Sequence, residues 1–189
     1  MMFRSVPRLR SIAVRTFTGL LTAALLSSCA STMDISRYNN ERPVLQVENY
    51  FNGKLDAWGM FQDRSGDIVK RFTVEMDCQW NGDTGTLNEY FTYSDGSKQT
   101  RIWTLKKTGD GKLTGTAADV VGEAQGEVAG NTLHLRYVLA LPVDGRIINV
   151  NMDDVMVLMD QQVMLNRAVM SKFGVQLGTV TLSFRKRQG

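Results

Sequence analysis

The sequence predicts an all-β protein: an antiparallel up-and-down barrel of about 8–10 strands with one short helix near residues 161–172. Short segments in which apolar and polar residues alternate recur along the chain, and turn signals rich in glycine, aspartate and asparagine separate them at regular intervals. Consecutive hairpins of this kind can close into a barrel, which leaves no exposed sheet edge. The length of residues 44–189 fits a single barrel domain with a substantial core.

The N-terminus has the pattern of a secretory signal. Four arginines precede an apolar run over residues 17–26, which is shorter than the roughly 20 residues of a membrane-spanning helix, and a leucine and two serines then lead to Cys29. This order resembles the lipobox of bacterial lipoproteins, in which the signal is cut before a cysteine that carries lipid. An ordinary cleaved signal with a coincidental cysteine is the alternative. We predict a signal peptide over residues 1–28 and lipidation of Cys29, which would anchor the chain in a membrane.

The residue after the predicted lipidation site indicates a location. It is Ala30, whereas an aspartate there tends to retain lipoproteins of Gram-negative bacteria in the inner membrane. The expected location is therefore the periplasmic face of the outer membrane. The polar, irregular stretch over residues 29–43 is typical of a flexible tether between membrane and domain.

Charge argues against a nucleic-acid partner. The chain has a formal net charge of +3, but residues 29–189 hold 18 basic and all 19 acidic residues, a net charge of −1. Phosphate binding needs a concentrated basic surface. The densest basic cluster of this part, Arg185–Arg187, is interpreted as a solvated tail, with contact to anionic head groups as the alternative.

Cys78 lies in the first long alternating segment, in phase with Val74 and Met76. This phase places it on the apolar face of a strand, where a thiol is structural. A nucleophilic cysteine would need a neighbouring base, and the chain has one histidine.

The dipeptide Asp95–Gly96 predicts a tight hairpin. A two-residue loop would place Tyr90 opposite Arg101 and Glu89 opposite Ile102, so that Glu89 and Arg101 lie on different faces. Slipping the register by one residue would exchange the faces. Both faces are partly apolar, so the hairpin alone does not indicate which one lines the interior.

Two later segments differ in pattern. Residues 133–141 alternate regularly, with leucines and Tyr137 on one face and His134 and Arg136 on the other. Residues 161–172 have few β-branched residues and precede Gly174, and their apolar residues recur at helical spacing. We therefore predict a short helix there that covers one end of the barrel.

Motifs for common catalytic and metal sites are absent from the sequence, and we predict no metal site and no cofactor. His134 is interpreted as an ordinary strand histidine. Asp153 and Asp154 are adjacent, so a regular strand would point them to opposite faces. A bulge could instead bring them together around a cation.

Four stretches resemble a family of uncharacterised Gram-negative lipoproteins, known as a domain of unknown function. They are "YFNGKLDAWGMFQDRSG", "FTYSDG" with "RIWTL", "GTAADVVGEAQGEVAGN" and "DDVMVLMDQQVMLNRAVMSKFGVQLGTVTLSF". The resemblance implies a periplasmic lipoprotein and supplies no activity or catalytic residues. The predicted architecture is also similar to calycin folds such as the lipocalins, a likeness that does not fix function.

Three functions follow as hypotheses. The first is a binding module that holds a small apolar, lipid or fatty-acid-like ligand inside the barrel. Its candidate ligand-binding residues are Arg101 and Arg136 for a charged head group, Trp103 and Tyr137 for the walls, and Glu89. The second is an accessory lipoprotein that binds another envelope protein through an apolar outer face. The third is a hydrolase or isomerase that uses Glu89, Asp119 or Asp153, and we consider an enzyme the less favoured reading.

Overall fold

Ten strands form a closed antiparallel barrel in the computed structural model, which describes residues 33–188. Each strand pairs with the next along the chain, and β10 pairs with β1, so the fold is the predicted up-and-down barrel. The predicted signal peptide and Cys29 lie outside the described residues. The strands are β1 Gly53–Asp63, β2 Ile68–Asn81, β3 Thr84–Tyr93, β4 Lys98–Gly109, β5 Lys112–Thr116, β6 Val120–Ala129, β7 Thr132–Val143, β8 Arg146–Leu158, β9 Val163–Lys172 and β10 Val175–Lys186.

The predicted helix near residues 161–172 is wrong, because this stretch forms strand β9. Good helix formers occupy it, but β9 pairs with β8 on one side and β10 on the other, and this pairing overrides local propensity. The inward residues, Met164, Asn166, Ala168 and Met170, are all buried and follow the two-residue period of a strand. The helical elements found are a 3-10 turn, Ile35–Tyr38, and a four-residue helix α1, Val47–Tyr50.

Among the described residues, no helix has the length and apolar character needed to cross a membrane.

A segment before β1 closes one end of the barrel, which we call the floor. Leu45, Val47, Tyr50 and Phe51 are buried there. The Tyr50 hydroxyl donates to the Gln162 carbonyl at 3.0 Å, and Trp80 Nε1 donates to the Phe51 carbonyl at 2.8 Å. These bonds fasten the segment to the β8–β9 loop and to β2. The floor therefore buries apolar side chains and satisfies its polar groups.

The other end, which we call the mouth, is formed by the hairpins β1–β2, β3–β4, β7–β8 and β9–β10 and the β5–β6 loop. None of the chain between residues 33 and 188 crosses it as a further strand or helix. The two ends are thus built differently. The chain covers the floor, whereas the mouth is an opening surrounded by turns.

Cys78 is confirmed as a buried thiol on the inner face of β2, with 1% of its surface exposed. Burial raises the pKa of this thiol to about 12. It therefore stays protonated and serves packing.

The β3–β4 hairpin differs from its predicted register by one residue. Its loop has three residues, and the Tyr93 amide donates to the Ser97 carbonyl at 2.9 Å. Gly96 takes a φ of 82°, as the last position of such a loop requires. The shift brings Glu89 directly opposite Arg101, so that both side chains face the interior.

Candidate functional site

The barrel interior contains a cavity of about 740 Å³. Phe51 and Phe184 line it near the floor, and Lys70, Lys98 and Pro142 line it near the mouth. The interior is therefore not filled by its own side chains. A volume in this range is typical of sites for small molecules.

The walls are mostly apolar and adaptable. Trp103 and Tyr137 pack edge to face with ring centroids 5.3 Å apart. A Cβ at Gly115 would lie 2.8 Å from the Leu105 side chain and 3.3 Å from the Trp103 indole, so the glycine leaves room for both side chains. Unbranched methionine side chains fit ligands of varied shape, and four of them line the cavity: Met76, Met152, Met156 and Met170.

A partly buried ion pair crosses one side of the cavity. Arg101 Nε donates to both carboxylate oxygens of Asp119, at 3.1 and 3.0 Å, and Arg101 Nη2 donates to Oδ2 at 2.7 Å. Arg101 Nη1 also lies 4.0 Å from a carboxylate oxygen of Glu89. The charge of Arg101 is therefore already matched within the protein.

The pKa values of two carboxyl groups in the cavity are raised, which favours their neutral forms. Burial raises the pKa of Glu89 to about 7, against the effect of Arg101 and with additions from Asp119 and Asp154. Burial likewise raises the pKa of Asp154 to about 7, although Asn166 opposes the shift by donating a hydrogen bond to Asp154. Near pH 7 these groups can each accept or donate a hydrogen bond.

Asn166 has one unsatisfied group. Its Nδ2 donates to Asp154, whereas its Oδ1 has no hydrogen-bond partner among the described residues. Only 4% of Asn166 is exposed, and it lines the cavity. A buried carbonyl oxygen without a partner loses its hydration without replacement. A donor on a bound molecule would restore that bond.

Four of the five candidate ligand-binding residues line the cavity: Glu89, Arg101, Trp103 and Tyr137. The fifth, Arg136, is exposed on the outer face of β7 and does not line it. Asp119, considered for catalysis, lines the cavity as the partner of Arg101.

Asp153 and Asp154 point to opposite faces, as the alternation of a regular strand requires. The Asp153 side chain is 54% exposed, and its Oδ1 lies 2.8 Å from Nε2 of the buried His134. It therefore lies outside the cavity and pairs with the strand histidine.

Sequence reasoning missed Asp154 and Asn166 as cavity residues. Asp154 shares the period-two phase of Val150 and Met152, which was a usable signal. Asn166 shares the phase of Met164, but the helical interpretation of β9 concealed it. Within residues 33–188, no group of three or more histidine, cysteine or acidic side chains is placed to hold a metal ion.

Comparison with known proteins extends these observations. The model of a family described as "Protein of unknown function (DUF3833)" matches residues 23–186. No curated protein matches the chain.

The solved structures that share the fold include the following two. An S-type phycobiliprotein lyase, CPES from Guillardia theta, is similar with a TM-score of 0.55 and 9% identity, over 84% of this chain and 100% of that chain. A protein of unknown function from the DUF3598 family of Nostoc punctiforme is similar with a TM-score of 0.53 and 11% identity, over 78% of this chain and 51% of that chain. At these identities the likeness concerns the barrel alone.

Proposed function

Since the chain belongs to the DUF3833 family of proteins of unknown function, we propose from its geometry that it binds and carries a small, largely apolar, lipid-like molecule inside the barrel. The observation that carries the proposal is the cavity of about 740 Å³, closed at the floor and open at the mouth. Transfer of an apolar molecule from water into such a site is favourable because apolar surface leaves water.

The polar side of the cavity favours one kind of head group. A free carboxylate would have to displace Asp119 from Arg101, and its charge would also favour the neutral forms of Glu89 and Asp154, whose pKa values are already raised to about 7. Charges of the same sign in a buried site repel strongly. A hydroxyl, amide or amine can instead donate to Asn166 Oδ1, which has no partner among the described residues. We therefore propose a neutral lipid with a hydrogen-bond donor as the ligand, instead of the fatty-acid-like molecule expected from the sequence.

The N-terminal sequence supports a proposed address. We infer that Cys29 is lipidated and anchors the barrel at the periplasmic face of the outer membrane, because a positive segment, an apolar run and the lipobox pattern follow one another before it. A tethered barrel would then bind its ligand in the periplasm. Labelling with a radioactive fatty acid, compared between the native chain and Cys29→Ser, tests the anchor separately from the cavity.

Native mass spectrometry tests the carrier function. Residues 29–189 with Cys29→Ser would be exported to the periplasm and purified without detergent. We expect a mass above that of the bare chain, and denaturation should release the difference as a lipid-like molecule. A bare mass that stays unchanged after incubation with total envelope lipids would contradict the proposal.

A matched pair of variants locates the bound molecule. Ala168 lines the cavity opposite Asp154, whereas the next residue, Val169, faces outward from the same strand. Ala168→Phe should fill part of the cavity and abolish the extra mass, and Val169→Phe should retain it. Equal retention in both variants would place the ligand outside the barrel.

Acid–base chemistry on the bound molecule is a second candidate function. It rests on two cavity carboxyl groups, Glu89 and Asp154, whose pKa values lie at about 7, close to the value that suits a general acid or base at neutral pH. Catalysis would convert a bound lipid during incubation, and Glu89→Gln would stop the conversion while binding persists. Recovery of the ligand unchanged favours the carrier.

An accessory role through the outer wall has weaker support. Its large exposed apolar side chains, Trp58, Tyr90, Ile102 and Leu165, lie on β1, β3, β4 and β9. Tyr90 and Ile102 lie on the adjacent strands β3 and β4, but β2 separates them from Trp58 and β10 separates Trp58 from Leu165. The four side chains therefore do not form one continuous patch.

A further inference from the structure

The mouth concentrates exposed apolar side chains on three hairpins. Hairpins β7–β8, β9–β10 and β1–β2 are consecutive around the barrel, because β8 pairs with β9 and β10 pairs with β1. Each presents two large apolar residues to solvent: Val143 and Ile147, Phe173 and Val175, and Ile68 and Val69. The six side chains form an arc beside the opening of the cavity.

Phe173 is the extreme case. It is 90% exposed, and its φ of 51° lies in the left-handed region that a residue with a Cβ adopts at a cost. Lys172 pairs with Val175, so Phe173–Gly174 is a two-residue hairpin loop with positive φ at both positions. Such a loop prefers asparagine or aspartate before the glycine.

Other loops of the barrel follow that preference. Asp110–Gly111 and Asp144–Gly145 are also two-residue loops with positive φ at both positions. Only at the β9–β10 hairpin does a large aromatic residue occupy the strained position. Within the chain, the Lys172 ammonium lies 5.0 Å from the centroid of the Phe173 ring, but this contact leaves the ring 90% exposed. Neither backbone geometry nor burial in the barrel accounts for phenylalanine there, which points to a contact outside the chain.

Basic side chains accompany the apolar arc. The mouth ends of the four hairpins, residues 61–71, 93–99, 143–147 and 171–176, carry six basic and four acidic residues, a net charge of +2, whereas residues 29–189 as a whole have a net charge of −1. Asp119 of the β5–β6 loop is paired with Arg101. Two of the aspartates are engaged in their own turns: Asp63 accepts from Ser65, and Asp95 accepts from Ser97. The basic residues are Arg64, Lys70, Arg71, Lys98, Arg146 and Lys172.

At the floor end, acidic side chains pair with the basic cluster Arg185–Arg187. Arg187, in the Arg185–Arg187 run, donates from Nε to Asp56 at 2.9 Å and lies 3.7 Å from Glu75. The floor also buries Leu45, Val47, Tyr50 and Phe51, and the large apolar residues exposed at this end are Val44 and Met159. At the mouth, Lys70 lies 4.0 Å from Asp95, but basic residues remain in excess. The two features of a membrane-contacting surface, exposed apolar tips and an excess of basic charge, therefore coincide at the mouth.

We propose that the mouth of the barrel docks on the surface of a bilayer with anionic head groups, with Phe173 and its apolar neighbours inserted among the lipids. Apolar tips that protrude separately around an opening suit a fluid lipid surface better than the flat, continuous patch of a protein interface. Basic side chains beside them attract anionic head groups. Docking would align the cavity with the bilayer, so that an apolar ligand need not cross water.

Vesicle co-sedimentation tests this surface without requiring the ligand. Residues 33–188 include the complete barrel and its floor, so residues 29–189 with Cys29→Ser can be used. We expect sedimentation with vesicles of phosphatidylethanolamine and phosphatidylglycerol, weakened by salt, and little with phosphatidylcholine alone. Phe173→Asn should reduce partitioning about tenfold, because the burial of one aromatic side chain is lost.

Tyr90→Asn provides the matched control, since Tyr90 is an exposed aromatic residue on the outer wall and is 50% exposed. This change should leave vesicle binding unaltered. Binding of the fluorescent probe N-phenyl-1-naphthylamine in the cavity should be the same in Phe173→Asn and the parent chain. Failure of docking and failure of cavity binding are thus measured separately.

Two results would overturn the proposal. The first is absence of binding to the anionic vesicles. The second is equal binding by the parent chain and Phe173→Asn. If the parent chain instead forms an oligomer that Phe173→Asn abolishes, and vesicles do not bind, the mouth contacts protein and the bilayer is excluded as its partner.

Discussion

The two ends of the barrel use apolar residues in opposite ways. At the floor, Phe51 and Tyr50 are buried, and the Tyr50 hydroxyl and the backbone around Phe51 are hydrogen-bonded. At the mouth, Phe173 and Ile147 are exposed to solvent. The same side-chain chemistry therefore serves folding at one end and is available for contacts at the other. Substitutions at the floor should therefore lower stability, whereas substitutions at the mouth should affect binding.

The largest effect is expected at the floor. Phe51 packs edge to face with Tyr50 and Phe184, at centroid distances of 5.1 and 6.1 Å. Phe51→Ala should lower the free energy of unfolding by about 3–5 kcal/mol, because it removes buried aromatic contacts and leaves a void. Denaturant unfolding measures this change.

Phe173→Ala is the control at the mouth, where the same chemical change should alter the free energy of unfolding by less than about 0.5 kcal/mol. Similar losses for the two variants would mean that the ends do not differ in their contribution to stability.

A second effect comes from the cavity between the two ends. Burial raises the pKa of Glu89 from its ordinary value of 4.5 to about 7. Between these values the folded chain holds a proton that the unfolded chain has released, so the free energy of unfolding falls as the pH rises from about 4.5 to 7. The loss is on the order of 3 kcal/mol for Glu89.

Glu89→Gln should reduce this slope, and adding Asp154→Asn should flatten most of the rest, because burial raises the Asp154 pKa in the same direction. Unfolding curves between pH 4 and 8 measure both. An unchanged slope in the double variant would assign the pH dependence to other groups.

A third, smaller effect concerns which head group the cavity accepts. Asp119→Asn removes the negative charge that Arg101 binds and keeps a hydrogen-bond acceptor. We expect affinity for a fatty acid to rise about tenfold relative to the fatty alcohol of the same chain length, since a carboxylate can then pair with Arg101. Displacement of N-phenyl-1-naphthylamine measures both ligands.

Asp153→Asn should not change this ratio, because Asp153 lies on the outer face beside His134. A parent chain that already prefers the fatty acid would contradict our interpretation of the Arg101–Asp119 pair.

These three effects differ in how far the sequence predicts them. The alternation of leucines with polar residues over 133–141 indicates the strands and their inward face, and the ten strands confirm the predicted barrel. Burial on one side of a sheet imposes a period of two that local sequence carries directly. Tyr137 could be proposed as a wall residue for this reason, whereas the two partly apolar faces of the β3–β4 hairpin do not indicate whether Trp103 faces inward.

The pairing of Glu89 with Arg101 could not be predicted. Asp95–Gly96 is compatible with a loop of two residues and with a loop of three, and the choice decides whether Glu89 and Arg101 face each other. Strand β9 was missed because residues with high helix propensity fill it, while partners distant in sequence determine its conformation. The buried polar side of the cavity depends on both features.

The smallest effect is an increase in stability, whereas most substitutions lower the stability of a protein. Phe173 holds a φ of 51° while 90% exposed, so little packing is lost when it is replaced. Phe173→Asn should raise the free energy of unfolding by about 1 kcal/mol, because asparagine tolerates this conformation better than phenylalanine. Thermal and denaturant unfolding measure the gain. Phe61→Asn, which places the same residue at a wall of the cavity, should instead destabilise the barrel. A chain that becomes more stable as it loses vesicle binding would indicate that Phe173 is retained for contact at the mouth, whereas a loss of stability would assign it to folding and remove the difference between the two ends.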